Sequence, residues 1–400
     1  MNAPTSHRER RVHLNTAGVG RMPTAVRDVL TGYARHEDRY GPYELEEQFE
    51  EVLQTQIHER LAGLLNVPAA DTVLFTGAAA AFDSLVSRIP LGPGDRIWTT
   101  PYESAAGLTT LYALRDRTRC RIDVIPLRAS GDLDLEWMAA HIDEGVALVS
   151  VTHVPSACGI VNPVEAVGRI LAPYRCLYAV DASHAVGQLP VDAARIGCDL
   201  LTGDGWRFLR GPQGVGFAAL SPRLRATLAP DGVEPWIRPQ SAAVAALNTA
   251  LAHHAADATG ADLLPELRAT IAEVPGIELI APGEVQSGIL AFQHAELPAA
   301  LIRRRLAAHG VVVWKTVAQE LPLYLPGRDV STAVRASVHH DNSPQDVALF
   351  GEALRQVLRE ERTRTLSAAR GLGAVRAAGE GGFPQQRGGG QRHLTLCPAS

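Results

Sequence analysis

Lysine is almost absent from this chain of 400 residues. The 38 Lys and Arg residues include a single lysine, Lys315. Arginine keeps its proton at any physiological pH, whereas a buried lysine loses its proton readily. A side chain that has to act as a neutral amine can therefore only be Lys315, and amine chemistry from any other side chain is excluded.

Cysteine, positive charge and long apolar runs are also scarce. The five cysteines are odd in number, widely spaced and form no Cys-x-x-Cys pair, which argues against a disulfide framework and structural zinc. The net charge of -5 provides no basic face for nucleic acid or an anionic membrane. No apolar run reaches the roughly 18 residues of a spanning helix, and the N-terminus lacks the apolar region of a secretory signal. We expect a globular, cytoplasmic protein.

Short apolar segments alternate with amphipathic segments through the first half of the chain. The segments RIWTT, RIDVIPL, VALVSVTHV, CLYAVDAS and GVGFAAL have the length and composition of strands, and helical stretches such as AAGLTTLYALRDR separate them. Strands that are apolar along their whole length are typical of a sheet covered by helices on both faces. The sequence therefore predicts an α/β fold with a large, mainly parallel sheet.

The order of the elements changes after Pro222. Residues 236–275 are predicted to be a long Ala-rich helical stretch, and strand and helix candidates of a smaller α+β unit follow. We expect an N-terminal arm (1–22), a large α/β domain (23–235), and a linker helix with a small domain (236–363). The Gly-, Arg- and Gln-rich remainder, 364–400, is predicted to be disordered.

Polar side chains lie at the ends of several predicted strands. Tyr102, His153 and Asp181 each lie at or just after such an end, and open α/β sheets bind ligands beyond the carboxyl ends of their strands. The strand at 72–75 turns directly into a helix at 76–89, an arrangement that presents backbone N–H groups to an anion. The sequence predicts a ligand site at this edge of the sheet.

Four motifs carry a resemblance to a known family. They are HLNTAGVG at 13–20, THVPSACGIVNPVEAVGRIL at 152–171, VDASHAVGQLPVDAARIGCDLLTGDG at 180–205 and AVRASVHHDNSPQDV at 333–347. In this order they resemble the class V aminotransferase-fold enzymes, a pyridoxal phosphate (PLP) group that includes cysteine desulfurases, isopenicillin epimerases and hercynylcysteine sulfoxide lyases. The resemblance covers most of residues 12–358. It implies PLP fold type I, with a seven-stranded-type sheet and a smaller C-terminal α+β domain, and dimers with their sites at the interface.

The resemblance also implies roles for individual residues. Asp181 would hold the pyridinium nitrogen of PLP, His184 and Ser156 would lie near the ring hydroxyl, Tyr102 would stack on the ring, and Arg335 would bind the substrate carboxylate. Each residue has a plainer alternative. These are a helix N-cap for Asp181, a histidine at a helix start for His184, a loop residue for Ser156, packing at an interface for Tyr102 and a surface charge for Arg335.

The position of the Schiff-base residue departs from the family pattern. The family has a lysine four residues before a Gly-Pro pair, which is Gly211-Pro212 in this chain, and this chain has Arg207 there. A guanidinium is a poor nucleophile that stays protonated, so an internal aldimine at Arg207 is excluded chemically. We expect Arg207 to act as an electrostatic clamp instead.

The phosphate cradle that the resemblance implies is also altered. It comprises Gly77, Ala78 and Ala79, with alanine at the last position where the family has threonine, together with Asp204 and Trp206 in place of a hydroxyl and a basic residue. A carboxylate about 4 Å from a phosphate repels it by a few kcal/mol at an effective dielectric near 20. We therefore expect PLP or pyridoxamine phosphate to bind non-covalently at most. Arg207 would either offset this repulsion or pair with Asp204.

Lys315 offers a second route to amine chemistry. Strand alternation in HGVVVWKT, residues 309–316, places Val311, Val313 and Lys315 on one face, and the equivalent strand of the family leads to the substrate entrance. Lys315 is thus either a relocated Schiff-base amine in the crevice or an ordinary surface lysine.

Two pairs of adjacent histidines, His253-His254 and His339-His340, raise the question of a metal site. Adjacent side chains on a strand point to opposite faces, so neither pair makes a good chelate. The sequence predicts no metal.

Two functions remain open from the sequence, with a third behind them. The first is a lyase- or transferase-type enzyme for an amino-acid-like carboxylate, with Asp181 and His184 as acid/base groups and with PLP non-covalent or dispensable. The second is a non-catalytic subunit that forms a homodimer or a heterodimer with an active relative. The third is a ligand-binding sensor.

Overall fold

The computed structural model describes residues 11–228, 238–254 and 261–379, the last range with side chains as far as 364. Its helices are α1 Thr24–Tyr40, α2 Pro42–Gln48, α3 Ile57–Leu65, α4 Ala78–Val86, α5 Ala105–Thr118, α6 Leu135–His141, α7 Val164–Leu171, α8 Ala193–Ile196, α9 Pro222–Leu228, α10 Ser241–Ala252, α11 Leu264–Ala272, α12 Ala299–Ala308 and α13 Pro344–Gly379. Its strands are β1 Val12–His13, β2 Thr72–Phe75, β3 Arg96–Thr99, β4 Arg121–Val124, β5 Val146–Thr152, β6 Leu177–Asp181, β7 Leu200–Asp204, β8 Gly216–Leu220, β9 Ile277–Ile280, β10 Ile289–His294, β11 Val311–Val312, β12 Trp314–Val317 and β13 Thr332–Ser337. A π-helical segment, Glu51–Gln56, precedes α3, and short 3-10 turns lie at Ala69–Asp71, Ala261–Leu263, Ala318–Glu320 and Pro326–Arg328.

The largest sheet has seven strands in the order β2-β8-β7-β6-β5-β3-β4. Strands β7, β6, β5, β3 and β4 run parallel to one another, whereas β8 is antiparallel to both β2 and β7. Parallel neighbours need long crossover connections, and helices α5, α6 and α7 lie in those connections. The predicted mainly parallel α/β sheet is confirmed.

Successive side chains of the central strands pack into two separate cores. Val149 of β5 belongs to the same buried cluster as Tyr178 and Val180 of β6, whereas Leu148 and Ala179 belong to a second cluster. Because side chains alternate across a strand, the two clusters lie on opposite faces of the sheet. Burial on both faces explains why these strands are apolar along their whole length.

A four-stranded antiparallel sheet, in the order β12-β13-β10-β9, forms the C-terminal α+β part. Strand β1 pairs in parallel with β11. The residues after β1 then lie beside β13, where Ser337 N donates to the Leu14 carbonyl oxygen at 2.9 Å and Ala17 N donates to Ser337 Oγ at 3.0 Å. These contacts fix the backbone around Ala17, which contributes to the site described below.

The chain divides into two compact units, Met1–Leu354 and Arg355–Ser400. The boundary predicted at 235/236 falls within 229–237, outside the described residues, so that division remains a prediction. Helix α13 continues to Gly379, so 364–379 is helical where the sequence predicted a disordered tail, and 380–400 lies outside the described residues. Within the described ranges, none of the helices combines the length and apolar character needed to cross a membrane.

Candidate functional site

A cavity of about 600 Å³ lies at the carboxyl ends of β3, β6 and β7. The turn after β2 and the start of α4 form one part of its wall, and the residues after β6 and β7 form another. Strands β12 and β13 contribute Trp314 and Arg335. The cavity occupies the sheet edge that the strand-end pattern predicted.

Most of the residues singled out in the sequence meet in this cavity. Those that line it are Gly77, Ala78, Ala79, Ser156, Asp181, His184, Asp204, Trp206, Arg207 and Arg335. Tyr102, His153 and Lys315 are not among the lining residues.

Tyr102 does not form the aromatic stacking surface that was expected. Its side chain is fully buried, its hydroxyl donates to the Gly131 carbonyl oxygen at 2.5 Å, and its ring centroid lies 4.7 Å from that of Tyr324. Burial raises the pKa of the Tyr102 hydroxyl, and the neighbouring Cys158 raises it further. The next residue, Glu103, lines the cavity instead. The end of β3 therefore predicted where this part of the cavity wall lies, but the residue that lines it is Glu103 and not Tyr102.

The register also contradicts the hypothesis that Lys315 reaches the crevice. The strand is interrupted, because β11 ends at Val312 and β12 begins at Trp314. Trp314 pairs with Arg335 across the ladder, whereas Lys315 pairs with Val334. Directly paired residues share a face of the sheet. Trp314 therefore lies on the cavity side with Arg335, and Lys315 lies on the other side.

The carboxylate of Asp204 occupies the N-terminus of α4. Its Oδ1 accepts a hydrogen bond from the backbone N–H of Ala78, the first residue of α4, at 2.9 Å. Its Oδ2 accepts one from Arg207 Nε at 2.7 Å. The Asp204 side chain is only 5% exposed. A helix N-terminus favours a negative charge, and in this chain Asp204 supplies that charge.

Arg207 is held between Asp204 and the N-terminal segment. Besides the ion pair through Nε, Arg207 Nη1 donates to the carbonyl oxygens of Ala17 at 2.6 Å and Gly18 at 3.4 Å. The backbone contacts around β1 fix both of these acceptors. The guanidinium is thus oriented by three acceptor atoms on two segments, the end of β7 and the N-terminal segment.

Trp206 covers the turn that precedes α4. A Cβ added at Gly77 would lie 2.9 Å from Trp206 Cη2, closer than side-chain atoms normally approach. Glycine at this position therefore leaves the room that the indole needs. The indole lies against the turn in which the sequence predicted an anion cradle.

These residues do not fit the phosphate group of PLP as they stand. A phosphate at a helix N-terminus needs free backbone N–H groups, and the Ala78 N–H is bonded to Asp204. A phosphate about 4 Å from that carboxylate would be repelled by a few kcal/mol at an effective dielectric near 20. The wall on this side already holds an anion of its own.

Asp181 ends β6 and lines the cavity. Its Oδ1 accepts hydrogen bonds from Ser183 N at 2.9 Å and from Ser183 Oγ at 2.5 Å, which forms a local Asx turn and not a helix cap. Burial raises the pKa of the Asp181 carboxyl. The bonds from Ser183 oppose that rise, and the nearby Asp204 carboxylate adds to it.

Glu103 is the principal site residue that the sequence analysis missed. It is 2% exposed and accepts hydrogen bonds from Ser150 Oγ at 2.8 Å, Ser104 N at 3.0 Å and Thr99 Oγ1 at 3.3 Å. Burial raises the pKa of the Glu103 carboxyl, the Ser150 bond lowers it, and the Asp181 carboxylate raises it again. A glutamate just after an apolar strand was the available signal.

His184 is buried as a neutral imidazole. Its Nε2 lies 3.2 Å from the Ala17 carbonyl oxygen, which can only accept, so Nε2 carries the proton and Nδ1 is the basic nitrogen. Burial holds the pKa of His184 well below its usual value. The positive charges of Arg207 and Arg335 lower it further, against the bond to Ala17.

Arg335 reaches the cavity from β13 and is 5% exposed. Its Nη1 donates to the Ser156 carbonyl oxygen at 3.3 Å and lies 3.7 Å from Glu320 Oε2. Among the described residues its buried Nε has no hydrogen-bond partner. Burial lowers the pKa of Arg335 to about 10, while Glu320 raises it and Arg207 lowers it. The Ser156 hydroxyl donates to Glu320 at 3.4 Å.

The histidine pair after β13 is arranged differently from the prediction. His339 and His340 lie beyond the end of the strand, and their ring centroids are 3.9 Å apart instead of on opposite faces. The His339 ring contacts Asp341 Oδ1 at 3.2 Å and the Gly187 carbonyl oxygen at 3.3 Å. His340 Nε2 lies 2.9 Å from Arg210 Nη1, which donates to it. In the part of the chain that the structure describes, no group of three or more His, Cys, Asp or Glu residues could hold a metal ion.

Comparison with known proteins gives the same relationships from sequence and from structure. The family model for class V aminotransferases matches residues 13–233. A probable cysteine desulfurase of Methanothermobacter thermautotrophicus is 25% identical over 381 residues, which covers 86% of this chain and 94% of that protein. A probable hercynylcysteine sulfoxide lyase of Mycobacterium tuberculosis is 29% identical over 365 residues, which covers 86% of this chain and 89% of that protein.

A solved structure shows the same fold. The cysteine desulfurase CsdA of Escherichia coli matches with a TM-score of 0.77 at 20% identity, which covers 88% of this chain and 95% of that chain. The matched family and the similar structures are PLP-dependent.

Proposed function

This chain belongs to the class V aminotransferase family, and on that premise we propose that it is a small-molecule enzyme that acts on an amino-acid-like carboxylate without an internal aldimine. The observation that carries the proposal is Arg335. Its buried Nε has no partner among the described residues while the side chain lines the cavity. A buried guanidinium with unused donor capacity is suited to bind a carboxylate.

The proposed acid/base groups are His184 and Asp181. His184 Nδ1 is the nitrogen free to accept a proton, because Nε2 donates to Ala17. Asp181 uses Oδ1 for Ser183, so its Oδ2 is available to a ligand. Burial raises the pKa of Asp181 and lowers the pKa of His184, so both shifts favour the neutral form. Shifted pKa values of this kind are expected of groups that exchange protons with a substrate.

Arg207 has no covalent role in this proposal. It is fixed by Asp204, Ala17 and Gly18 and acts as a permanent positive charge beside the cavity. The matched relatives are named as a desulfurase and a sulfoxide lyase, so a lyase-type reaction is the class we propose for this chain. A transferase-type reaction, a homodimer or heterodimer, and a cytoplasmic location remain predictions.

A second candidate is a non-catalytic subunit that keeps the fold for its dimer surface. The observation in its favour is the bond from Ala78 N to Asp204, which uses one backbone donor of α4 and places a carboxylate where a PLP phosphate would bind. A protein in which Asp204 occupies the phosphate position and which turns over no ligand would be a structural partner of an active relative.

A ligand screen followed by a turnover assay separates the two candidates. Thermal shift with a panel of amino acids identifies ligands, and release of ammonia or of an oxo acid from them measures turnover. We expect Arg335→Gln to weaken carboxylate binding by about tenfold or more, with the exposed Arg169→Gln as control. Binding that is lost with Arg335 but is never followed by turnover would favour the non-catalytic subunit.

A further inference from the structure

The charged groups of the cavity wall do not balance. The lining residues include four carboxylates, of Glu103, Asp181, Asp204 and Glu320, and two guanidinium groups, of Arg207 and Arg335. Asp204 pairs with Arg207 at 2.7 Å, and Glu320 lies 3.7 Å from Arg335. Each cation of the wall thus has its own carboxylate. His184 adds no charge, because its imidazole is neutral.

Glu103 and Asp181 are the two carboxylates left over. Neither forms an ion pair within the described ranges. Their partners are hydroxyl and backbone N–H groups, of Ser150, Thr99, Thr152 and Ser104 for Glu103 and of Ser183 for Asp181. Two buried carboxylates that face one cavity without a cation form a place for a positive charge.

An unpartnered hydroxyl lies beside Asp181. Thr202 on β7 is the register partner of Asp181 on β6, is 1% exposed and lines the cavity. Its Oγ1 is buried and has no hydrogen-bond partner among the described residues. A buried hydroxyl without a partner is uncommon in folded proteins, so it indicates a polar ligand atom at this point.

We propose that the cavity binds a zwitterion, with a protonated nitrogen held non-covalently between Asp181 Oδ2 and Thr202 Oγ1. Glu103 adds a second carboxyl group beside this seat, whose ionised form a bound cation favours, and the carboxylate of the ligand binds Arg335. The ligand nitrogen bears at least one N–H, because both atoms of the seat accept hydrogen bonds. The inference rests on the proposed function for the carboxylate end and adds the nitrogen end.

The seat replaces covalent capture of the amine. A substrate amine forms an imine only with a carbonyl carbon, and no side chain of this protein supplies one for that reaction. Asp181 and Thr202 recognise it through charge and hydrogen bonds alone. The ligand class is therefore an amino acid or a related amino carboxylate with a free, protonated nitrogen, and not a phosphate ester.

Matched pairs of probes test the inference. Isothermal titration at neutral pH compares L-alanine with propionate, L-glutamate with glutarate and 4-aminobutyrate with butyrate on the full chain. We expect the amino acid to bind at least about tenfold more tightly than its matched acid for the pair that fits the cavity. Asp181→Asn should remove this preference and leave the acid unaffected or more tightly bound. Thr202→Val should reduce the preference, with the exposed Thr109→Val as control.

The outcomes separate the two proposals. If an acid and its amino acid bind equally, and Arg335→Gln abolishes both, the nitrogen seat is wrong and the carboxylate site stands. If an amino acid binds with a preference that Asp181→Asn removes, but Arg335→Gln has no effect, the nitrogen seat stands and the carboxylate assignment fails. Absence of binding by every probe would overturn both. Circular dichroism of each variant checks that it is folded.

Discussion

Ala78 N donates a hydrogen bond to Asp204 Oδ1 at 2.9 Å, which joins the first turn of α4 to the end of β7. This bond places a carboxylate of the chain itself at the helix end that favours an anion. The opposite carboxylate oxygen accepts from Arg207. The altered cradle and the altered Schiff-base position are therefore one connected unit.

The first prediction concerns removal of this carboxylate. Asp204→Ser frees the Ala78 N–H and leaves the positive charge of Arg207 beside it, so we expect inorganic phosphate to bind on the order of 100- to 1,000-fold more tightly than to the unmodified chain. Isothermal titration with phosphate measures the gain. Asp83→Ser on the same helix is the control, because Asp83 is exposed and is not part of the cavity. Equal phosphate affinities of the two variants would contradict a seat filled by Asp204.

The second prediction concerns stability and the buried Glu103. The pKa of this carboxyl is raised in the folded chain by burial, so the folded state holds its proton to higher pH than the unfolded state does. The folded state therefore loses stability relative to the unfolded state as pH rises above the usual glutamate value and through the raised pKa. Glu103→Gln has no charge to bury, so its stability relative to the unmodified chain should increase with pH over that window.

Urea denaturation at a series of pH values measures this difference. Glu136→Gln provides the control, since Glu136 is exposed at the start of α6. A difference between Glu103→Gln and the unmodified chain that stays constant from acid to neutral pH would show that Glu103 keeps its ordinary titration.

The third prediction concerns the carboxylate site at alkaline pH. Burial lowers the pKa of Arg335 to about 10, so its charge is complete at neutral pH and is lost as pH rises through that value. Affinity for a bound carboxylate should be constant up to about one unit below that pKa and should fall by about tenfold per pH unit above it. Titration with the matched acid, which has no amine that loses its proton in this range, checks the midpoint. Affinity that is unchanged well above the pKa of Arg335 would remove Arg335 as the anchor.

The sequence predicted the fold and most of the residues that line the cavity. Its predictions failed where a shift of one residue changes which side chain faces the cavity. The motifs brought Asp181, His184 and Arg335 to one site because parallel strands end at a common edge. Tyr102 and Glu103 are adjacent, and only the folded turn shows which of them lines the wall. Strand alternation left Lys315 open between the cavity and the surface, because the sequence does not reveal the break between β11 and β12. Glu103 forms no ion pair among the described residues, and this became visible only when the neighbours of each charge were known.

The account depends most on the absence of a covalent cofactor. The direct measurement is to incubate the purified chain with excess PLP, reduce with borohydride and map any pyridoxyl adduct by mass spectrometry. We predict no stoichiometric adduct, because Arg207 cannot form an imine and Lys315 lies on the far face of β12 from Arg335. A stoichiometric pyridoxyl group on Lys315, or a chromophore that stays bound through dialysis and supports elimination or transamination, would contradict the account.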